Sequence, residues 1–253
     1  MLLENKTAIV YGAAGTIGSA VARAYAREGA GVHLAGRDID SLNRVAETIR
    51  DAGGTAHVAQ VDVLDRSAVE RHTASVAEVD GRIDACFNAT SNDDIQGTAL
   101  PDLAVEDFMQ PVTKSLTAHF NIATAVARHM VRGGGGVILV MAGGREAIPR
   151  LGGAHVAWAA LAALSRQLAA DLGPRGIRAV WLLSPGSPGS ADQDRTGPVD
   201  GSQSEPAPGT EGLLPLHQPS YAEVADVAAF LASDAARTMT ATEINLTGGS
   251  VID

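Results

Sequence analysis

Cysteine is nearly missing from this chain. Cys86 stands alone, which rules out an internal disulfide and any metal site built on several thiolates. Its place in an apolar, strand-like run reads as an inert core thiol. Basic residues are also scarce: 19 lysines and arginines face 29 acids, a net charge of −10. That balance argues against a nucleic-acid partner, which needs a basic face. No uninterrupted apolar run approaches membrane-spanning length, and the opening MLLENKTAIVYG carries Glu4 and enters a strand at once, leaving no room for a signal peptide. A cytoplasmic protein with no membrane partner is expected. Aromatics are only 4% of the residues, against 45% that are apolar. A core so rich in small residues suits helices packed on a parallel sheet better than a β-sandwich.

Short β-branched runs alternate with helical stretches along the chain, the pattern of βαβ units. The spacing predicts strands at Thr7–Tyr11, Val32–Ala35, His57–Val61, Ile83–Asn88, Val137–Met141, Ile177–Leu183 and Glu243–Leu246. Helices are predicted from Gly18 to Gly29, then over Ile39–Arg50, Ser67–Val79, Leu103–Val131, Ala154–Leu172 and Ala222–Ser233, with Pro111 marking a break or a new start. Seven strands with right-handed crossovers make a three-layer Rossmann fold, an α/β doubly wound parallel sheet, in one domain over residues 1–253. The irregular stretch is Ser184 to Ser220, rich in Gly, Pro and Ser. It follows the carboxyl end of a strand, where ligands bind in such sheets. Two readings of it stand: a mobile substrate lid, or a disordered insertion.

Between the first strand and helix, YGAAGTIGSA places Gly12, Gly15 and Gly18 three apart. Gly12 permits the tight turn, Gly15 lets the backbone approach a pyrophosphate, and Gly18 lets the helix pack on the strand. The helix amides, at Thr16 and Ile17 onward, then face the anion.

With these residues in place, the chain resembles the short-chain dehydrogenase/reductase family along nearly its whole length. The glycine run looks like that family's T-G-x-x-x-G-x-G turn, with Tyr11 where Thr is usual. Asp62-Val63 resembles the pair that contacts adenine, and Asn88-Ala89-Thr90 is a degraded form of the N-N-A-G motif. Pro185-Gly186 ends the sixth strand as the family's P-G does, and Leu246-Thr247-Gly248-Gly249 resembles its C-terminal D-G-G segment. The resemblance implies a nicotinamide dinucleotide held by these residues. At the end of the second strand, an acid would accept from a ribose 2′-hydroxyl and repel a 2′-phosphate. Gly36 stands there instead, followed by Arg37, whose guanidinium pairs well with a phosphate. NADP(H) is the expected cofactor, with Asp38 available to pair with Arg37 and blunt the preference.

The family's chemistry implies four further side chains: a proton-transferring Tyr, a Lys four residues later, a Ser on the preceding strand and an Asn in the long helix. Counted back from Gly173-Pro174-Arg175-Gly176-Ile177-Arg178, those positions fall on Ala154, Trp158, Met141 or Ala142, and Ser115. No Y-x-x-x-K occurs anywhere in the chain. Hydride delivery to a ketone builds an alkoxide that must be protonated, and alanine cannot do so. Substitutes are His155, beside the Tyr position, and Arg145 or Glu146 after the fifth strand, each of which is otherwise a rim residue. The histidines form no ligand pattern with carboxylates, so no metal is expected. Three functions remain open: an NADP(H)-dependent oxidoreductase of a small substrate with a rebuilt site, a non-redox enzyme using the old pocket, or a silent nucleotide-binding subunit. The resemblance also implies a homodimer or homotetramer through the two long helices, where Ala157, Ala160 and Ala163 would permit close contact.

Overall fold

The computed structural model describes residues 1–145, 147–183 and 219–248. The expected lid therefore lies outside the described residues except for its last two positions, as do Pro185, Gly186, Glu146 and Gly249. Seven parallel strands form one sheet in the order β3-β2-β1-β4-β5-β6-β7. They are β1 (Thr7–Tyr11), β2 (Gly31–Gly36), β3 (Thr55–Gln60), β4 (Ala85–Asn88), β5 (Gly136–Ala142), β6 (Ile177–Leu183) and β7 (Thr242–Asn245). Central strands read as unbroken apolar runs because helices cover both faces: every residue of TAIVY in β1 and ACFN in β4 is buried.

The helices are α1 (Thr16–Arg27), α2 (Ile39–Asp51), α3 (Arg66–Asp80), α4 (Val105–Arg132), α5 (Ala154–Leu172) and α6 (Tyr221–Ala232). Local chemistry sets their ends. The Asp38 carboxylate accepts from the amides of Asp40 and Ser41 at the start of α2. Asp65 does the same for Ala68 in α3, which stops at Gly81 in the left-handed conformation. Ser220 and Glu223 form a reciprocal capping box on α6. One apolar cluster packs α1, α2 and α6 on one face of the sheet, and another packs α3, α4 and α5 on the other.

One expectation is corrected. The helix α4 runs 28 residues without a break at Pro111. That proline lies in the second turn with its side chain buried. It forfeits one backbone bond, and the long packed helix beyond it absorbs the loss.

Candidate active site

The strand order reverses between β1 and β4, which are paired with Tyr11 opposite Asn88. Their carboxyl ends diverge there and open the crevice in which doubly wound sheets bind ligands. Gly12 leaves β1 at φ +76°, and a Cβ on it would fall 2.6 Å from the Ala89 carbonyl oxygen. A Cβ on Gly18 would fall 2.2 Å from the Gly12 carbonyl oxygen. Both positions therefore require glycine, one for the turn and one to seat α1 on it. Gly15 caps α1 with no side-chain hydrogen bond to the first amides. Those amides, at the positive end of the helix dipole, face the crevice.

Two cavities meet at this turn. One, of about 560 Å³, runs from Gly12, Ala14 and Gly15 past Gly36, Arg37 and Asp38 to Val61, Asp62, Val63 and Leu64, with Lys114 of α4 at its rim. The other, of about 340 Å³, runs from Gly15, Thr16 and Ile17 to Ser115, Met141, Ala142, Gly143, Trp158 and Leu161, with Asn92 beside it. Ala89, Thr90 and Ser91 line both. The residues fit an adenosine phosphate in the first half: a glycine cradle, uncapped amides and Arg37.

Several residues singled out in the sequence meet here. Gly12, Gly15, Thr16, Ile17, Arg37, Asp62, Val63, Ala89 and Thr90 all line the cleft, and Gly18 supports it from behind. Asp38 does not neutralise Arg37. Its carboxylate is spent on α2, accepting from Asp40 N and Ser41 N at 3.1 Å and from Ser41 Oγ at 2.5 Å, and these bonds hold its pKa below the usual range.

Others stand elsewhere. Asn88 is buried and lines neither cavity. Its Oδ1 accepts from Thr90 N at 3.0 Å and Thr90 Oγ1 at 2.7 Å, so it shapes the Ala89-Thr90 turn. Arg145 is drawn away to β7, where its Nε lies 2.5 Å from Glu243 Oε1. That contact is an ion pair without hydrogen-bond alignment, and Glu243 also accepts from Trp181 Nε1 at 2.6 Å. His155 is half-buried on the first turn of α5, lines neither cavity, and has an unpartnered Nδ1. Of the three catalytic candidates only Ser115 borders the cleft, buried on α4.

Sequence reasoning missed Gly143, Asn92 and Lys114. Gly143 matters most: a Cβ there would fall 2.2 Å from two atoms of the Trp158 ring. The indole thus lies flat against bare backbone, at the position where the resemblance leads one to expect a lysine. A partly buried Trp158 and Leu116 join the small cluster of Val140, Ala142, Leu161, Ala162 and Trp181 that floors this end of the cleft. Arg166 lies over the Trp181 ring at 4.6 Å. Among the described residues no group of histidines, cysteines and acids is arranged to hold a metal ion, and no helix is long and apolar enough to cross a membrane.

Comparison with known proteins agrees with this architecture. A family model described as enoyl-(acyl carrier protein) reductase matches residues 12–250. The chain is 31% identical to an uncharacterized oxidoreductase, YxbG, of Bacillus subtilis, over 98% of this chain and 91% of that protein. It is 30% identical to a D-threitol dehydrogenase of Mycolicibacterium smegmatis, over 99% and 94%. Its backbone matches a short-chain type dehydrogenase/reductase from Mycobacterium ulcerans with a TM-score of 0.86 at 23% identity, covering 99% of this chain and 91% of that one. The chain belongs to the short-chain dehydrogenase/reductase family, which works with nicotinamide cofactors.

Proposed function

We propose that the chain is an NADP(H)-dependent oxidoreductase of a small organic carbonyl, imine or alcohol, with an acid–base arrangement unlike the family's usual one. The observation that carries this reading is the continuous cleft. It pairs a glycine cradle and uncapped helix amides with Arg37, which has no carboxylate within ion-pair distance among the described residues. The amides following Gly15 would hold the pyrophosphate, Asp62 and Val63 would flank the adenine, and Arg37 would take the 2′-phosphate. Bound nicotinamide supplies or accepts a hydride.

The residues around the second cavity are neutral: Thr16, Thr90, Ser91, Asn92 and Ser115 are its polar side chains. Ser115 borders this cavity, and its hydroxyl would orient a substrate oxygen or nitrogen. His155 and Arg145 lie off this cavity, so a strong proton donor is not at hand among the described residues. An imine already protonated in solution needs none, which favours imines within the substrate class.

A second reading rests on one specific observation, the Trp158 indole against Gly143. A bulky ring in place of a ribose-holding cation suits a site that converts its substrate without hydride transfer, or that only binds nucleotide.

Titration of the protein with NADPH and NADH, followed by absorbance with carbonyl and imine panels, tests these readings. NADPH should bind more tightly, and Arg37→Ala should weaken it selectively by roughly 1.5–3 kcal/mol. Equal affinity for both nucleotides contradicts the cofactor assignment. Substrate conversion at constant NADPH absorbance selects the second reading. Brisk reduction of simple ketones would mean that Ala154 and Trp158 do not stand at the acid–base positions.

A further inference from the structure

Beyond the glycine turn, the adenosine half of the cleft carries a charge cluster that the cofactor reading leaves unused. Lys114 enters its rim from α4 with a side chain only 16% exposed. Its ammonium has a partner. It donates to the carboxylate of Asp93, in the loop that follows β4.

Asp93 is held in that place by its own backbone and by a neighbour. It sits at φ +51°, a conformation that non-glycine residues adopt rarely. Its Oδ1 accepts from Ser91 Oγ at 2.8 Å, and its amide donates to the same oxygen at 3.1 Å. Ser91 itself lines both halves of the cleft. The loop is thus tied down at the point where the two cavities meet. The carboxyl is kept ionised, below its ordinary range, by Lys114 and Ser91 first and by the more distant Arg37 guanidinium as well. A single negative group is therefore bonded to Lys114, one of the two cations that border the adenosine cavity.

We propose that Asp93 is an internal competitor of the nucleotide's 2′-phosphate. Its carboxylate occupies the field of Lys114 and Arg37, and the phosphate takes both cations when nucleotide binds. A carboxylate and a phosphate oxygen present the same acceptor to an ammonium or a guanidinium, and the doubly charged phosphate is the stronger of the two. Lys114 then becomes a specificity-determining residue beside Arg37, and Asp93 sets how much phosphate binding must overcome. The assignment rests on the NADP(H) reading above and deepens it.

The pair lies toward the surface, so Lys114→Met, Lys114→Arg and Asp93→Asn should all fold. Calorimetric titration with adenosine 2′,5′-bisphosphate and with 5′-AMP probes the adenosine half without involving Trp158. Asp93→Asn should tighten the bisphosphate roughly two- to fivefold, and Lys114→Met should weaken it roughly tenfold. Lys114→Arg should retain most of the affinity, and 5′-AMP should stay within about twofold throughout. If the unaltered protein binds the two nucleotides alike, or neither, the NADP(H) reading falls and this inference with it. If it prefers the bisphosphate but Asp93→Asn and Lys114→Met leave that preference unchanged, the reading stands and this inference is overturned. Weaker bisphosphate binding in Asp93→Asn overturns it as well.

Discussion

Mild acid should destabilise this protein through two histidines, one half-buried and one fully buried. His72 lies on α3 with its Nδ1 3.0 Å from the Tyr11 hydroxyl, and its Nε2 is buried with no partner. His119, fully buried on α4, has one weak contact, 3.4 Å from Asn88 Nδ2. Burial removes the water that would solvate an imidazolium and lowers each pKa from 6.5 to about 4, with the charge of His33 adding to the effect at His72. The unfolded chain therefore binds more protons than the folded one between those two values, and stability falls as pH drops through the window. At about pH 5 each ring costs roughly 2 kcal/mol relative to about pH 7.5, so the two together cost roughly 4, a large part of a typical 5–15 kcal/mol. Glu70 and Asp234, whose pKa values are lowered by Arg128 and Lys6, lose their contributions only at still lower pH. Urea denaturation at the two pH values measures the difference, and His119→Met should remove about half of it. A stability unchanged between them would refute the argument that these rings are held neutral by desolvation.

Three further outcomes follow from packing. Gly18→Ala places a methyl 2.2 Å from the Gly12 carbonyl oxygen, so the turn must shift; calorimetry should find nucleotide binding lost, and unchanged binding would contradict the geometry. Gly143→Ser must expel the indole that lies against it; the Trp158 emission, isolated by difference from Trp158→Phe, should shift to the red, and an unshifted band would mean the ring is not seated there. Phe120 on α4 and Val156 on α5 are 45% and 42% exposed, so sedimentation should find a homodimer or homotetramer that Phe120→Glu drives toward monomer. A monomer of the unaltered protein at micromolar concentration would refute this.

The parts of the fold that were legible in the sequence are those fixed by neighbours in the chain. The buried strands β1 and β6 announce themselves as apolar runs, and α5 runs over the same residues that its alanine-rich pattern marks. The glycine turn was equally plain, because its spacing alone carries the backbone geometry. What stayed hidden depends on which side chains the sheet brings together. Arg145 has the composition of an oxyanion holder, and only the tertiary structure discloses Glu243 beside it on β7. Asn88 sits in a ligand-binding motif, yet its side chain turns inward to brace Thr90. Of the alanines expected to permit close contact between long helices, Ala157 is fully buried and Ala163 is exposed. Lys114 and Asp93 are 21 residues apart, on a helix and a loop with no shared periodicity.

The residues that fall at the proposed catalytic positions are gathered at one end of the cleft, where they pack on one another. The indole of Trp158 needs the Cβ-free surface of Gly143: a larger side chain at 143 collides with the ring. A lysine at 158 would also face a cavity whose described lining contains no carboxylate to receive its charge. Ala154 is wholly buried, which leaves a tyrosine there without room unless α5 moves. On the proposed reading, the site would be a neutral, partly aromatic chamber joined to a charged nucleotide cleft, and not a standard one with a few catalytic groups removed. On the proposed reading, chemistry in such a chamber would bring its own proton or dispense with one, and that constraint would narrow the substrate more than the fold does.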